Sequence, residues 1–142
     1  HQYYDEQKIK AWGGEGKGMI ERDGKQWRPY SPETVLCPPF PSYVSGHSTI
    51  SGGCAEALKI WTGSDEFGSK SVLVAGAMTE PDNLGDTITL EFPTFTETSE
   101  MAGVSRVLGG YHIQAAIVAG IELGRNVAKE VRGFYKEHIG QK

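Results

Sequence analysis

The sequence has no long apolar run: its longest nearly apolar stretch, SVLVAGAM at 71–78, falls far short of the roughly 20 residues a helix needs to cross a bilayer. A transmembrane protein is therefore not expected. Basic clusters are missing too. The 14 Lys and Arg are scattered among 18 Asp and Glu, for a formal net charge of −4. No stripe of that kind can follow a phosphate backbone, so nucleic acid is not an expected partner. Cysteine is scarce, and Cys37 and Cys54 are too few for a disulfide framework and are not spaced as zinc ligands. Sequence leaves their pairing open; a bridge would point to an oxidising compartment. The chain starts at His1 without an initiator Met and without the charged and apolar regions of a signal peptide, which reads as a processed chain or a piece of a longer one. Internal repeats and low-complexity segments are absent. A length of 142 residues leaves room for one domain or part of one.

What is present is a Gly- and Pro-dense first third followed by helical patterning. Residues 1–44 read as a long ordered loop region lying over another surface, with room for a short helix near Tyr3–Ala11. The run CPPFPSYVSGHS at 37–48 ends it. Its prolines forbid helix up to Pro41, and Ser45 is a good N-cap for a helix over 45–63 closed by Gly63. Two Val-, Ile- and Thr-rich segments, Ser71–Met78 and Asp86–Phe92, flank a Pro, Asn and Gly cluster and predict a β-hairpin over 71–92. A second helix is expected over 96–109, with Thr94 or Thr96 as its cap and Gly109-Gly110 as its stop. The last helix, over 112–138, has Ile113, Ile117, Val118, Ile121, Val127, Val131 and Phe134 broadly at helical spacing and Ala115, Ala119, Gly120 and Gly124 for close packing. The fold class is thus mainly α, a helical bundle with one small hairpin.

Two short strings carry chemistry: S-G-H at 45–47 and S-R-x5-H at 105–112. Alone, each has a bland explanation, since a His at a helix start is often just solvated and an Arg in a last turn complements the dipole. Together they are complementary. A helix starting at Gly46 offers free backbone N–H groups and the positive end of its dipole to an anion, and the Ser45 hydroxyl adds a donor. Arg106 brings a planar, permanently charged fork. His47 and His112 add two imidazoles, one to bond the central atom of the anion and one to move protons near neutral pH.

The strings PPFPSYVSGHSTISGGCAEAL and AGVSRVLGGYHIQAAIVAGIELGR resemble the second and third signature motifs of the vanadium-dependent haloperoxidases. That family shares its fold with type-2 phosphatidic acid phosphatases and bacterial class A acid phosphatases. The stretch AWGGEGKGMIERDGKQWRPYSP resembles the loop before PPFP in bacterial members, so the likeness covers nearly the whole chain. The resemblance implies a helical bundle of the haloperoxidase and acid phosphatase type, of which this is the C-terminal half. It implies that His112 bonds vanadium, that His47 is the acid/base histidine, and that Arg106, Ser45 and the Gly46 N–H hold the oxygens. The implied cofactor is vanadate, with phosphate able to enter the same site. The implied reaction is oxidation of halide by hydrogen peroxide to hypohalous acid, with vanadate acting as a Lewis acid.

The sequence departs from that pattern in two places. The family's first motif, a Lys followed seven residues later by Arg-Pro, is not found: Arg28-Pro29 has Glu21 at the Lys position. The remaining Lys and Arg ligands are then expected from another polypeptide, an N-terminal half of the enzyme, or the chain associates with its own copy. Four residues after His112, where many relatives carry an Asp that orients the histidine, stands Ala116. The alternatives to the peroxidase are an acid phosphatase with His112 as nucleophile, and a non-catalytic binding or assembly subunit that kept the scaffold.

Overall fold

The computed structural model describes residues 7–13, 17–27, 29, 31, 39–77 and 86–140. Among them the fold is mainly α, as expected, with helices α1 (Gly46–Thr62), α2 (Phe95–Leu108) and α3 (Gln114–His138). Strands β1 (Lys8–Trp12) and β2 (Met19–Asp23) form one antiparallel hairpin, and β3 (Glu66–Leu73) and β4 (Ile88–Thr94) another.

The first hairpin is a correction, because residues 1–44 were expected as a loop region with a short helix near Tyr3–Ala11. Ile9 and Ala11 turn inward while Lys8, Lys10 and Trp12 face out, a two-residue period that only a strand satisfies. The register runs from Lys8 opposite Asp23 to Trp12 opposite Met19. The second hairpin is present but displaced: its first strand starts at Glu66 rather than Ser71 and ends at Leu73. The apolar run is broken because the chain turns at Val74–Ala77, where the Ala77 N–H donates to the Val74 carbonyl at 3.0 Å. Residues 78–85, the middle of the expected hairpin, lie outside the described residues, as do Cys37 and Arg28.

α1 begins and ends where its caps dictate. The Ser45 side chain accepts the Ser48 N–H, and Gly63, in the left-handed region at φ 71°, closes the helix with its N–H on the Lys59 carbonyl. α2 is capped by the first of the two expected threonines: Thr94 Oγ1 accepts the Glu97 N–H at 3.0 Å and donates to the Glu97 carboxylate at 3.1 Å. Phe67 stacks on Phe95 with ring centroids 5.0 Å apart, which fastens the second hairpin to the start of α2. Asp65 accepts the Thr96 N–H at 3.0 Å. Its carboxyl is held below its ordinary value first by the hydrogen bond from Thr96 and then by the charges of Lys59 and Arg125, partly opposed by desolvation.

The core sits where α1 crosses α3. Ala116, Ile117, Gly120, Ile121 and Gly124 form the buried stripe of α3, and Ser48, Gly52 and Ala55 that of α1. The two backbones nearly touch: a Cβ on Gly52 would lie 2.7 Å from the Ile121 carbonyl oxygen, and one on Gly120 would lie 2.8 Å from that of Ser45. Of the small residues expected to pack closely, Gly120 and Gly124 pack against α1, while Ala115 is exposed. Beyond Gly124 no residue of α3 is buried, and Val127, Val131 and Phe134 are exposed, as are Ile50 and Trp61 on α1.

Candidate functional site

Ser45 is wholly buried. Its N–H donates to the Ala116 carbonyl at 3.0 Å, which ties the start of α1 to the start of α3. Its hydroxyl accepts the Ser48 N–H at 3.3 Å and the Ser48 hydroxyl at 3.0 Å. The side chain expected as an anion donor thus accepts two bonds within the helix cap, neither of which uses its own O–H proton, and Gly46 beside it is exposed. A Cβ built on Gly46 would meet no atom within 4 Å, so open space adjoins the backbone at the positive end of α1.

His47 is exposed in the first turn of α1. Its pKa is held below the ordinary imidazole value, first by loss of water around the ring, then by the Arg106 guanidinium and then by His112. Residues 47, 106 and 112, far apart in sequence, therefore share one electrostatic neighbourhood. At neutral pH this favours neutral His47, and an anion brought between these groups would oppose the two charge effects.

Arg106 lies in the last turn of α2, with its guanidinium carbon 4.1 Å from the centroid of the Tyr111 ring. Its Nε–H, like those of Arg22 and Arg132, is buried with no acceptor among the described residues. An unpaired charged donor in that position is costly until an acceptor arrives, and a carboxylate or tetrahedral oxyanion is its natural partner.

His112 does not open the last helix, as the sequence suggested. α3 starts at Gln114, with Ile113 as an extended cap residue at φ −96° and ψ 157° that gives no side-chain cap bond, and His112 sits just outside it, half-buried. The turn delivering it is built from Gly109 and Gly110. Gly110 adopts φ 78°, and a Cβ there would lie 2.5 Å from Pro29 Cβ, so position 110 needs glycine for both conformation and space. The Ser31 hydroxyl donates to the Gly109 carbonyl at 2.8 Å. Pro29 and Ser31 thus lie on the turn joining Arg106 to His112, which is the covering role expected of the first third. The His112 ring is fixed by Ser42, whose carbonyl oxygen lies 2.9 Å and whose hydroxyl lies 3.0 Å from Nδ1. Sequence reasoning missed Ser42; a serine in a Pro-rich loop carries no signal of contact with a histidine 70 positions on.

Comparison with known proteins identifies the family. The family described as the VCPO second helical-bundle domain, where VCPO is vanadium chloroperoxidase, matches residues 1–141. The chain belongs to that family. Its structure is similar to a bacterial vanadium-dependent chloroperoxidase in its apo form, with a TM-score of 0.78 and 27% identity over 96% of this chain and 29% of that one. The holo form of such an enzyme gives a TM-score of 0.77 at the same identity and coverage. A bacterial vanadium-dependent iodoperoxidase is 32% identical, with a TM-score of 0.56 over 77% of this chain and 23% of that one. The chain thus spans less than a third of the length of each of these structures. No curated protein sequence matches. The likeness to a vanadium haloperoxidase fragment seen in the motifs is borne out, and the helical-bundle class with it. No helix among the described residues is long and apolar enough to cross a membrane.

The side chains present fit an oxyanion such as vanadate. Among the described residues the buried Nε–H of Arg106 lacks an acceptor, and the space beside Gly46 is open. With Nδ1 of His112 bonded, Nε2 is the ring nitrogen with no hydrogen bond among the described residues. Among the described residues there is no cluster of His, Cys, Asp and Glu of the kind that holds a simple metal cation. A donor set of N–H groups, one guanidinium and imidazoles suits an anion.

Proposed function

We propose that this chain carries the helix-borne part of a vanadate site of a haloperoxidase, and that the whole enzyme oxidises halide with hydrogen peroxide to hypohalous acid. The observation that carries the reading is that the charges of Arg106 and His112 both act on His47, with a buried Arg106 donor beside them that has no acceptor among the described residues. The matched structures support it, since the chloroperoxidase and the iodoperoxidase are both vanadium-dependent.

When bound, vanadate supplies Lewis acidity toward peroxide without change of its own oxidation state. The protein's part is positional and protonic. The Nε2 atom of His112 would hold the central atom, while Arg106 and the Gly46 N–H would neutralise oxygen charge. Ser45 would keep the Gly46 turn in place from beneath. His47, neutral at rest near pH 7, would accept a proton from the incoming peroxide oxygen and return it to the leaving oxygen. Phosphate has the same shape and charge type and would enter the same site.

One guanidinium and one helix end are few charges for such an anion, so the further Lys and Arg would come from another polypeptide or from a second copy of this chain. The exposed apolar faces of α1 and α3, including Trp61 at 81% and Val131 at 62% exposure, are surfaces that such a partner would cover.

The test is oxidation of an organic acceptor by peroxide and bromide, with and without added vanadate, beside hydrolysis of p-nitrophenyl phosphate. Vanadate-dependent oxidation with weak hydrolysis is the expected result. Hydrolysis without oxidation would make it a phosphatase. Neither activity, with the missing cations supplied by a co-expressed partner, would make it a non-catalytic subunit.

A further inference from the structure

The residue expected to orient His112 from within α3, four positions on, is Ala116, which offers no hydrogen bond. Ala116 has none of its surface exposed, and its carbonyl is taken by the Ser45 N–H at 3.0 Å. A carboxylate at that position would be buried in the α1–α3 contact at a large desolvation cost.

We propose that Ser42 is the positioning residue for His112, its carbonyl oxygen and hydroxyl together taking the Nδ1 side of the ring so that the Nε2 lone pair is left for the bound oxyanion. The carbonyl oxygen, 2.9 Å from Nδ1, can only accept, so Nδ1 carries the proton. A neutral imidazole protonated at Nδ1 has its lone pair on Nε2, the form a histidine needs to ligate or attack a central atom. The Ser42 hydroxyl, 3.0 Å from the same nitrogen, is a second acceptor beside that N–H, so a ring tilting off the carbonyl still meets a partner. Any residue at 42 would supply the carbonyl. The hydroxyl is what this chain adds, and it makes up in part for the carboxylate that is absent at 116. The inference rests on the proposed vanadate site only for its consequence in binding; the orientation itself is a property of the chain.

The test compares the wild-type chain with Ser42→Ala and Ser42→Thr. Nitrogen-15 spectra of the imidazole, recorded at a pH where the ring is neutral, read the tautomer of His112, and titration with vanadate reads affinity. The wild type is expected in the Nδ1–H form. Ser42→Ala should raise the Nε2–H population several-fold and weaken vanadate binding about fivefold, the scale of one modest hydrogen bond, while Ser42→Thr restores both. A wild-type His112 in the Nε2–H form overturns the inference. So does a Ser42→Ala variant unchanged in tautomer and affinity. If the tautomer shifts as described but no variant, wild type included, binds vanadate even with the further Lys and Arg supplied by a co-expressed partner, the orientation stands and the vanadate reading falls.

Discussion

Replacing His112 with alanine should abolish both vanadate binding and turnover, whereas replacing His47 should leave binding within a few-fold and cut turnover by roughly 10²- to 10⁴-fold, the usual worth of a positioned acid/base group. The asymmetry follows from where the two rings stand. His112 is held at Nδ1 by Ser42, and in the proposed reading its Nε2 makes the bond. His47 is exposed at the head of α1, under the influence of Arg106 and His112, and in the proposed reading it moves the proton. Vanadate affinity and peroxide-driven bromination, measured on both variants, check the pair. Equal losses in both assays for both variants would contradict the division of roles.

The second large effect is on the scaffold. A Cβ on Gly124 would fall on the Thr49 carbonyl oxygen and within 2.6 Å of the Gly53 nitrogen. Both are backbone atoms of α1 and cannot swing aside, so Gly124→Ala must push α1 and α3 apart. Overpacking of that kind costs about 3 kcal/mol, a large share of the roughly 5–15 kcal/mol that holds an ordinary domain together. The midpoint of thermal unfolding should fall by roughly 10 °C. Activity should fall with it, because the Ser45 N–H bond to the Ala116 carbonyl spans the same contact. Gly133→Ala is the control: nothing lies within 4 Å of its added Cβ, and the alanine should be neutral or stabilise α3 by up to about 1 kcal/mol. Thermal unfolding followed by circular dichroism separates the two.

How much of this was legible in the sequence varied with how local the physics was. α1 could be read almost to the residue, because Ser45 and Gly63 determine its ends through their own side chain and backbone. The cap of α2 was narrowed to two threonines, and the bond between Thr94 and Glu97 selects one. The first hairpin escaped because its strands are five residues each and set among glycines, so the alternation of Ile9 and Ala11 with lysines is too short to stand out. The start of β3 escaped because Glu66–Lys70 is largely polar and exposed, and pairing with β4 rather than burial makes it a strand. At the site, His47, Arg106 and His112 were legible as complementary chemistries. What was not legible was contact across the chain: Ser42 on His112, Pro29 on Gly110, and Ser45 sealed beneath the start of α3. Those depend on two helices crossing at glycine, which no single segment records.

The measurement closest to the central claim, that two imidazoles and a guanidinium share one pocket, is the pH titration of the His47 ring by NMR. The expected midpoint lies below the ordinary 6.5, shifts part of the way back in Arg106→Met while burial keeps the rest, and rises when vanadate or phosphate is added to the wild type. A His47 that titrates at the ordinary value and responds neither to the loss of Arg106 nor to the oxyanion would contradict the shared pocket, and the proposed chemistry with it.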